Sequence, residues 1–209
     1  MKKKFLSALV VATLTLAVFS FFGGQAVMAE DENLLLNASF DDGEHIDYWV
    51  NDGNATFIWI ADWHPYRGSW SFGVGNDLEH AEAGAFGGCF QVVCDPDDPD
   101  SFYMAAPGET FIFKMWIKGE DNYAGKASLK LEFFGYDRRF GLADDPLASF
   151  QSKVYTGQFE WLCETVSGTA PEGTVCVVVS GVSEDMPIGP AGGSFAWFDE
   201  ASLTTGPVW

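Results

Sequence analysis

The chain has 209 residues, with 11 Lys and Arg against 30 Asp and Glu and a formal charge of −19. Its 19 Phe, 8 Trp and 6 Tyr exclude a disordered acidic tail, which lacks the apolar surface to build a core, and they suffice for one domain of ordinary size. The negative charge repels phosphate backbones and anionic headgroups, which sets nucleic-acid binding and basic-patch membrane binding aside and leaves neutral or cationic ligands.

Residues 1–29 read as an export signal: a basic start at Lys2, Lys3 and Lys4, an apolar run from Phe5 to Phe22, and the small-residue end Ala26-Val27-Met28-Ala29. Cleavage after Ala29 removes three lysines and no acid, so the mature chain, 30–209, carries a net charge of −22. The expected location is secreted, periplasmic or cell-surface, with no membrane insertion after cleavage. A membrane anchor is the competing reading of Phe5–Phe22 by length.

From residue 33 onward the chain alternates with period two or runs in short β-rich stretches bounded by Gly, Pro, Asp and Asn. Strands are predicted at 34–38, 55–62, 70–74, 87–93, 110–118, 128–136, 153–166, 175–182 and 194–203, and no long window has helical periodicity. Nine short strands predict an all-β chain, a single β-sandwich filling 30–209. Two stretches fall outside this pattern. One is Asp95-Pro96-Asp97-Asp98-Pro99-Asp100, read as a solvated loop or a weak cation site; the other is a long loop over 138–152, long enough to border a binding site.

Along 110–118, Phe111, Phe113, Met115 and Ile117 form a core face, while Lys114, Trp116 and Lys118 point away. Along the next strand Leu129, Leu131 and Phe133 are core, and Lys130, Glu132, Phe134 and Tyr136 point away. If these strands pair, Trp116, Phe134 and Tyr136 gather on one polar face. Flat rings among Glu132, Lys114 and Lys130 suit a sugar, whose C–H faces stack on aromatics and whose hydroxyls need donors and acceptors. Trp63 and Tyr66, in the turn Asp62-Trp63-His64-Pro65-Tyr66, are further candidates, whereas Trp59 alternates with Phe57 and reads as core. The competing reading puts these aromatics under the 138–152 loop or in a subunit contact.

Cys89, Cys94, Cys163 and Cys176 are an even number in an exported chain, which favours two disulfides over metal ligation. Three connectivities are open; Cys89–Cys94 with Cys163–Cys176 is the simplest. Enzyme motifs are scarce. His45, His64 and His80 have no H-E-x-x-H spacing, there is no G-x-S-x-G elbow or P-loop, and Gly73-Val74-Gly75 lacks the third glycine and helix of a dinucleotide site. A glycosidase carboxylate pair, which meets only in space, has no supporting pattern.

The opening Asn33-Leu34-Leu35-Leu36-Asn37-Ala38-Ser39-Phe40-Asp41-Asp42-Gly43 followed by Tyr48-Trp49, then Arg67-Gly68-Ser69-Trp70-Ser71-Phe72, Gln91-Val92-Val93, Pro107-Gly108-Glu109-Thr110-Phe111, Leu129–Phe134 and the ending Phe195–Leu203 resemble, in order, carbohydrate-binding modules of the family four and nine type. These belong to the galactose-binding-like jelly-roll superfamily. The resemblance implies a non-catalytic carbohydrate-binding module and a structural calcium (Ca2+) held by the carboxylates of Asp41 and Asp199 and the main-chain carbonyls of Ser39, Tyr66 and Ser69. Strand parity independently groups Asp199 with Phe195, Trp197, Ala201 and Leu203, where a lone carboxylate would be costly. The inserted 95–100 and 138–152 loops depart from the family pattern. The alternative function is a structural or self-assembling protein on the same fold.

Overall fold

The computed structural model describes residues 32–41, 48–76, 83–95, 97–135, 145–187 and 194–206. The leader, His45, His80, Tyr136 and residues 138–144 of the long loop lie outside them. Among the described residues there are twelve strands: β1 (Val50–Gly53), β2 (Phe57–Ala61), β3 (Ser71–Asn76), β4 (Ala85–Val92), β5 (Cys94–Asp95), β6 (Asp98–Phe102), β7 (Thr110–Gly119), β8 (Lys126–Phe134), β9 (Ala148–Gln151), β10 (Phe159–Thr169), β11 (Cys176–Met186) and β12 (Ser194–Thr205). They form two five-stranded antiparallel sheets, ordered β1-β4-β11-β8-β9 and β10-β7-β12-β3-β2, with β5 and β6 as a separate hairpin. The chain is an all-β sandwich, as the alternation predicts.

The core lies between the sheets. Phe111, Phe113, Met115 and Ile117 of β7 meet Leu129, Leu131 and Phe133 of β8, Val177 and Val179 of β11, and Phe198 and Leu203 of β12, all shut off from solvent. Each such side chain contributes about 1.5–3 kcal/mol by leaving water, so the period-two faces read from the sequence are the faces that assemble.

Four features differ from expectation. The opening segment is not a strand: Asn33 Oδ1 accepts from the amides of Leu35 and Leu203, and Gln91 bonds both the amide and the carbonyl of Leu36, so side chains do the work of a ladder. Asn51-Asp52-Gly53, whose Asn, Asp and Gly are the residue types expected to bound strands, lies in edge strand β1. Part of the long loop is strand β9. The acidic run is a hairpin whose carboxylates cap its own turns: Asp95 accepts from Asp97 N–H, and Asp98 from Asp100 N–H and Ser101 Oγ.

Two corrections matter most. Strands β7 and β8 do not pair; they lie in opposite sheets, because the connection 120–125 crosses the sandwich rather than turning back in the plane. The simplest disulfide pairing fails as well, and the structure contains no disulfide. Cys89 sits in the core and Cys94 lies five positions on, about 16 Å away along an extended chain and on the other face. Cys163 on β10 and Cys176 on β11 belong to different sheets. Disulfide geometry requires Cα atoms within about 7 Å.

Candidate functional site

The outer face of the β1-β4-β11-β8-β9 sheet carries a groove of about 210 Å³. Its position follows from register. Asp52 lies opposite Gly88, Gly88 opposite Val182 and Val182 opposite Ser128; one row along, Val50, Phe90, Ser180 and Lys130 stand side by side. Phe86 and Phe90 form the apolar edge, Ser180 and Val182 the floor, and Lys130, Glu132, Glu184 and Asp52 supply polar groups. Gly88 opens the floor: a Cβ there would stand 2.5 Å from the carbonyl oxygen of Gly181, so any side chain would fill the groove and push the strands apart.

Charges in the groove are paired but reachable. Lys130 Nζ bonds Glu184 Oε1, and Glu132 Oε1 accepts from Ser149 Oγ at 3.1 Å. Three carboxylates face one ammonium, so the groove favours neutral or cationic ligands over anionic ones. Half-exposed Phe86 offers a ring to an apolar ligand face beside fixed donors and acceptors, an arrangement that binds a polyol by stacking and hydrogen bonding.

Of the residues singled out in the sequence, Lys130 and Glu132 line this groove. Phe134 shares their sheet face but is buried in a small cluster with Val92, Cys176 and Val178, against Phe90 and Phe102. Tyr136 lies outside the described residues. Lys114, Trp116, Trp63 and Tyr66 belong to the opposite outer surface and cannot line the same site. Phe86, Phe90, Ser180, Glu184 and Asp52 were not singled out; the glycine pair Gly87-Gly88 inside an apolar strand was the available signal, since glycine there marks a close approach or an opening.

On that opposite surface the loop 62–70 folds over the β10-β7-β12-β3-β2 sheet. Tyr66 stacks on Trp116 with centroids 3.8 Å apart and Trp161 beside it. Trp63 and His64 pack on Trp197, which is fully buried and donates from Nε1 to Glu120 at 2.7 Å. The aromatics do lie under a loop, 62–70 rather than 138–152. Trp59 is 43 % exposed and Trp63 60 % exposed, so Trp59 is not core.

Under the same loop lie the two aspartates. Asp199 is fully buried and accepts from the amides of Tyr66 (2.7 Å), Arg67 (3.1 Å) and Glu200 (2.7 Å). Asp41 accepts from Ser69 (2.7 Å) and Trp70 (3.1 Å). Between them Gly68 takes a left-handed conformation, φ 65°, and a Cβ there would collide with the Asp41 carboxylate. Asp199 does not share a face with Ala201 and Leu203, although strand parity predicts that it would. A bulge at Glu200 (φ 49°) shifts the register between Asp199 and Ser202, so Ala201 and Leu203 point into the core while Asp199, opposite Trp116, points outward beneath the loop. Loss of hydration pushes its carboxyl up to about 7, against the opposing pull of the three amides.

Two carboxylates converging on one five-residue turn are hard oxygen donors of the type that suits calcium. Among the described residues, no group of three or more His, Cys, Asp or Glu could hold a metal, so main-chain oxygens would have to complete any such site.

No protein-family model matches the chain, and no characterised protein is similar to it in sequence. Its likenesses are structural. The chain resembles the CBM22-1 xylan-binding domain of Xyn10C from Paenibacillus barcinonensis, with a TM-score of 0.52 and 14 % identity over 86 % of this chain and 97 % of that one. It also resembles a cyclase from Fischerella sp. TAU, with a TM-score of 0.56 and 14 % identity over 85 % and 98 %. The third likeness is to the enzymatically active domain of bacteriophage CBA120 tailspike protein 4, with a TM-score of 0.57 and 16 % identity; it covers 83 % of this chain but only 21 % of that one. At these identities the fold alone is shared. It is a β-sandwich found in carbohydrate-binding modules and in catalytic proteins.

Proposed function

We propose that this protein is an exported, non-catalytic carbohydrate-binding module that takes a neutral glycan in the groove over β4, β11 and β8. The observation that carries the reading is the glycine-opened floor flanked by Phe86 and by the Lys130–Glu184 pair: a ring to stack on, fixed hydrogen-bonding groups and an excess of carboxylate. The xylan-binding neighbour supports it by fold. Lys130 and Glu132 keep the roles expected from sequence, bonding hydroxyls, while the stacking surface moves from Trp116 to Phe86 and Phe90. Export rests on the 1–29 leader, and the four and nine family type on the ordered motifs described above.

The test is a polysaccharide panel of neutral chains, xylan included, against uronate-containing and sulfated chains, read by affinity electrophoresis. Neutral glycans should bind and lose affinity in Phe86→Ala. Binding confined to acidic chains, or none by folded protein, overturns the reading; turnover of a glycan would make it an enzyme.

We further propose that a calcium ion joins Asp41 and Asp199 through the 66–70 turn, with the carbonyls of Ser39, Tyr66 and Ser69. The convergence of the Asp41 and Asp199 carboxylates on one turn supports this. A melting temperature that does not respond to calcium or chelator would exclude it.

A further inference from the structure

The failure of the simplest cysteine pairing leaves a different one in register. Strands β4 and β11 pair Val92 with Val178, and the ladder runs one step further, since Val93 N–H donates to the carbonyl of Val177 at 2.9 Å. Continued by one more residue, that register sets Cys94 against Cys176. Opposed residues of an antiparallel pair have Cα atoms about 4.5–5.5 Å apart, whichever hydrogen-bonding position they take. That separation falls within the disulfide range of about 4.4–6.8 Å.

Facing agrees with register. Val92 and Val178 point to the outer face, packed with Phe134 and Cys176, and Cys94, two residues beyond Val92, points the same way. On its other side Cys94 pairs with Phe102 of the hairpin, and Phe102 packs into the same cluster as Cys176. The other two cysteines have no such opportunity. Cys89 is sealed in the core with its thiol pushed up to about 12 by burial, and Cys163 lies on the far sheet, opposite Trp116.

We propose that Cys94 and Cys176 form a cross-strand disulfide that fastens the acidic hairpin to the central strand of the groove-bearing sheet. A disulfide donor such as oxidised glutathione supplies the oxidant. The half-exposed Cys94 attacks it as thiolate and forms a mixed disulfide, releasing one donor thiol; Cys176 then attacks the Cys94 sulfur and releases the second. Two protein thiols lose two electrons and two protons, and one donor disulfide becomes two thiols. Cys176 is fully buried in the folded chain, so closure belongs to folding, before the hairpin settles. The bond encloses a long loop and excludes many unfolded conformations.

The full chain, expressed for export and refolded with a reduced and oxidised glutathione mixture, tests this by peptide mapping without reduction. A linked pair of peptides containing Cys94 and Cys176, with Cys89 and Cys163 recovered as thiols, is the expected result. Reduction should lower the melting temperature by roughly 5–15 °C, and the Cys94→Ser, Cys176→Ser double variant should show no response to reductant. Four titratable thiols in the folded, oxidised protein, or a link through Cys89 or Cys163, overturns the proposal, and the map on the wild-type chain stands whether or not the variant folds.

Discussion

On one outer surface of the sandwich Tyr66 lies on Trp116, Trp63 and His64 lie on Trp197, and Asp199 is sealed beneath the turn that carries them. On the other, Gly88 leaves a trough between Phe86, Phe90 and the Lys130–Glu184 pair, with polar groups open to solvent. The aromatic-rich surface is partly covered by the loop, whose rings stack on those of the sheet, leaving Trp197 buried and Trp63 exposed. The surface poorer in large rings keeps a place for a ligand. The exposed-parity aromatics therefore mark the loop-bearing surface, and the groove over Gly88 lies on the other sheet.

Asp199→Ala has the largest expected effect. Three backbone amides lose their acceptor under the loop, and a loss of about 3 kcal/mol is expected from the urea midpoint. Glycan affinity on the opposite face should survive in whatever fraction stays folded, and a small stability change would mean the loop is not held from below.

The pH dependence of stability follows from the same carboxyl, which titrates near 7 in the folded chain against an ordinary value of 3.8. The folded state thus holds this proton more tightly than the unfolded state, so the group's contribution is fullest below about pH 4 and is lost as pH rises through 7. Between pH 5 and 8 the fall should be roughly 2–3 kcal/mol in calcium-free buffer. It should be absent from Asp199→Ala, and calcium should flatten it if the ion binds there.

Trp116→Ala and Phe86→Ala separate the two faces directly. The first removes the partner of Tyr66 and should cost about 2 kcal/mol of stability with glycan affinity unchanged. The second should weaken glycan binding by roughly ten-fold and leave the melting curve in place. The reverse pattern, binding lost at Trp116 with stability intact, would move the site to the aromatic face. At the small end, Lys126→Ala breaks only the exposed pair with Asp185 and should leave both the melting curve and glycan affinity as in the wild type.

Eight of the nine strand expectations overlap an observed strand, because alternation over Phe111–Ile117 or Leu129–Phe133 is a direct image of a half-buried ladder. The exception, 34–38, buries Leu34 and Leu35 but makes only two backbone bonds to β12 and is otherwise tied by the Asn33 and Gln91 side chains, a device that leaves no periodic trace. The candidate site was legible only in part. Lys130 and Glu132 were readable as outward residues, yet placing them beside Trp116 required β7 and β8 to be neighbours. Nothing in either strand says which sheet it joins, since a core face is equally satisfied in both. The parity of Asp199 failed for a related reason: one bulged residue, Glu200, exchanges inside for outside in everything that follows.

By itself the sequence determined an acidic, all-β chain and the inward faces of its main strands, because side-chain alternation and hydrophobic burial are local properties that the order of residues carries. Only the tertiary structure decided which outward faces share a surface, which one a loop covers, and which cysteines oppose each other. Those are relations between segments far apart in the chain, fixed by the competition among sheet pairings for one common core.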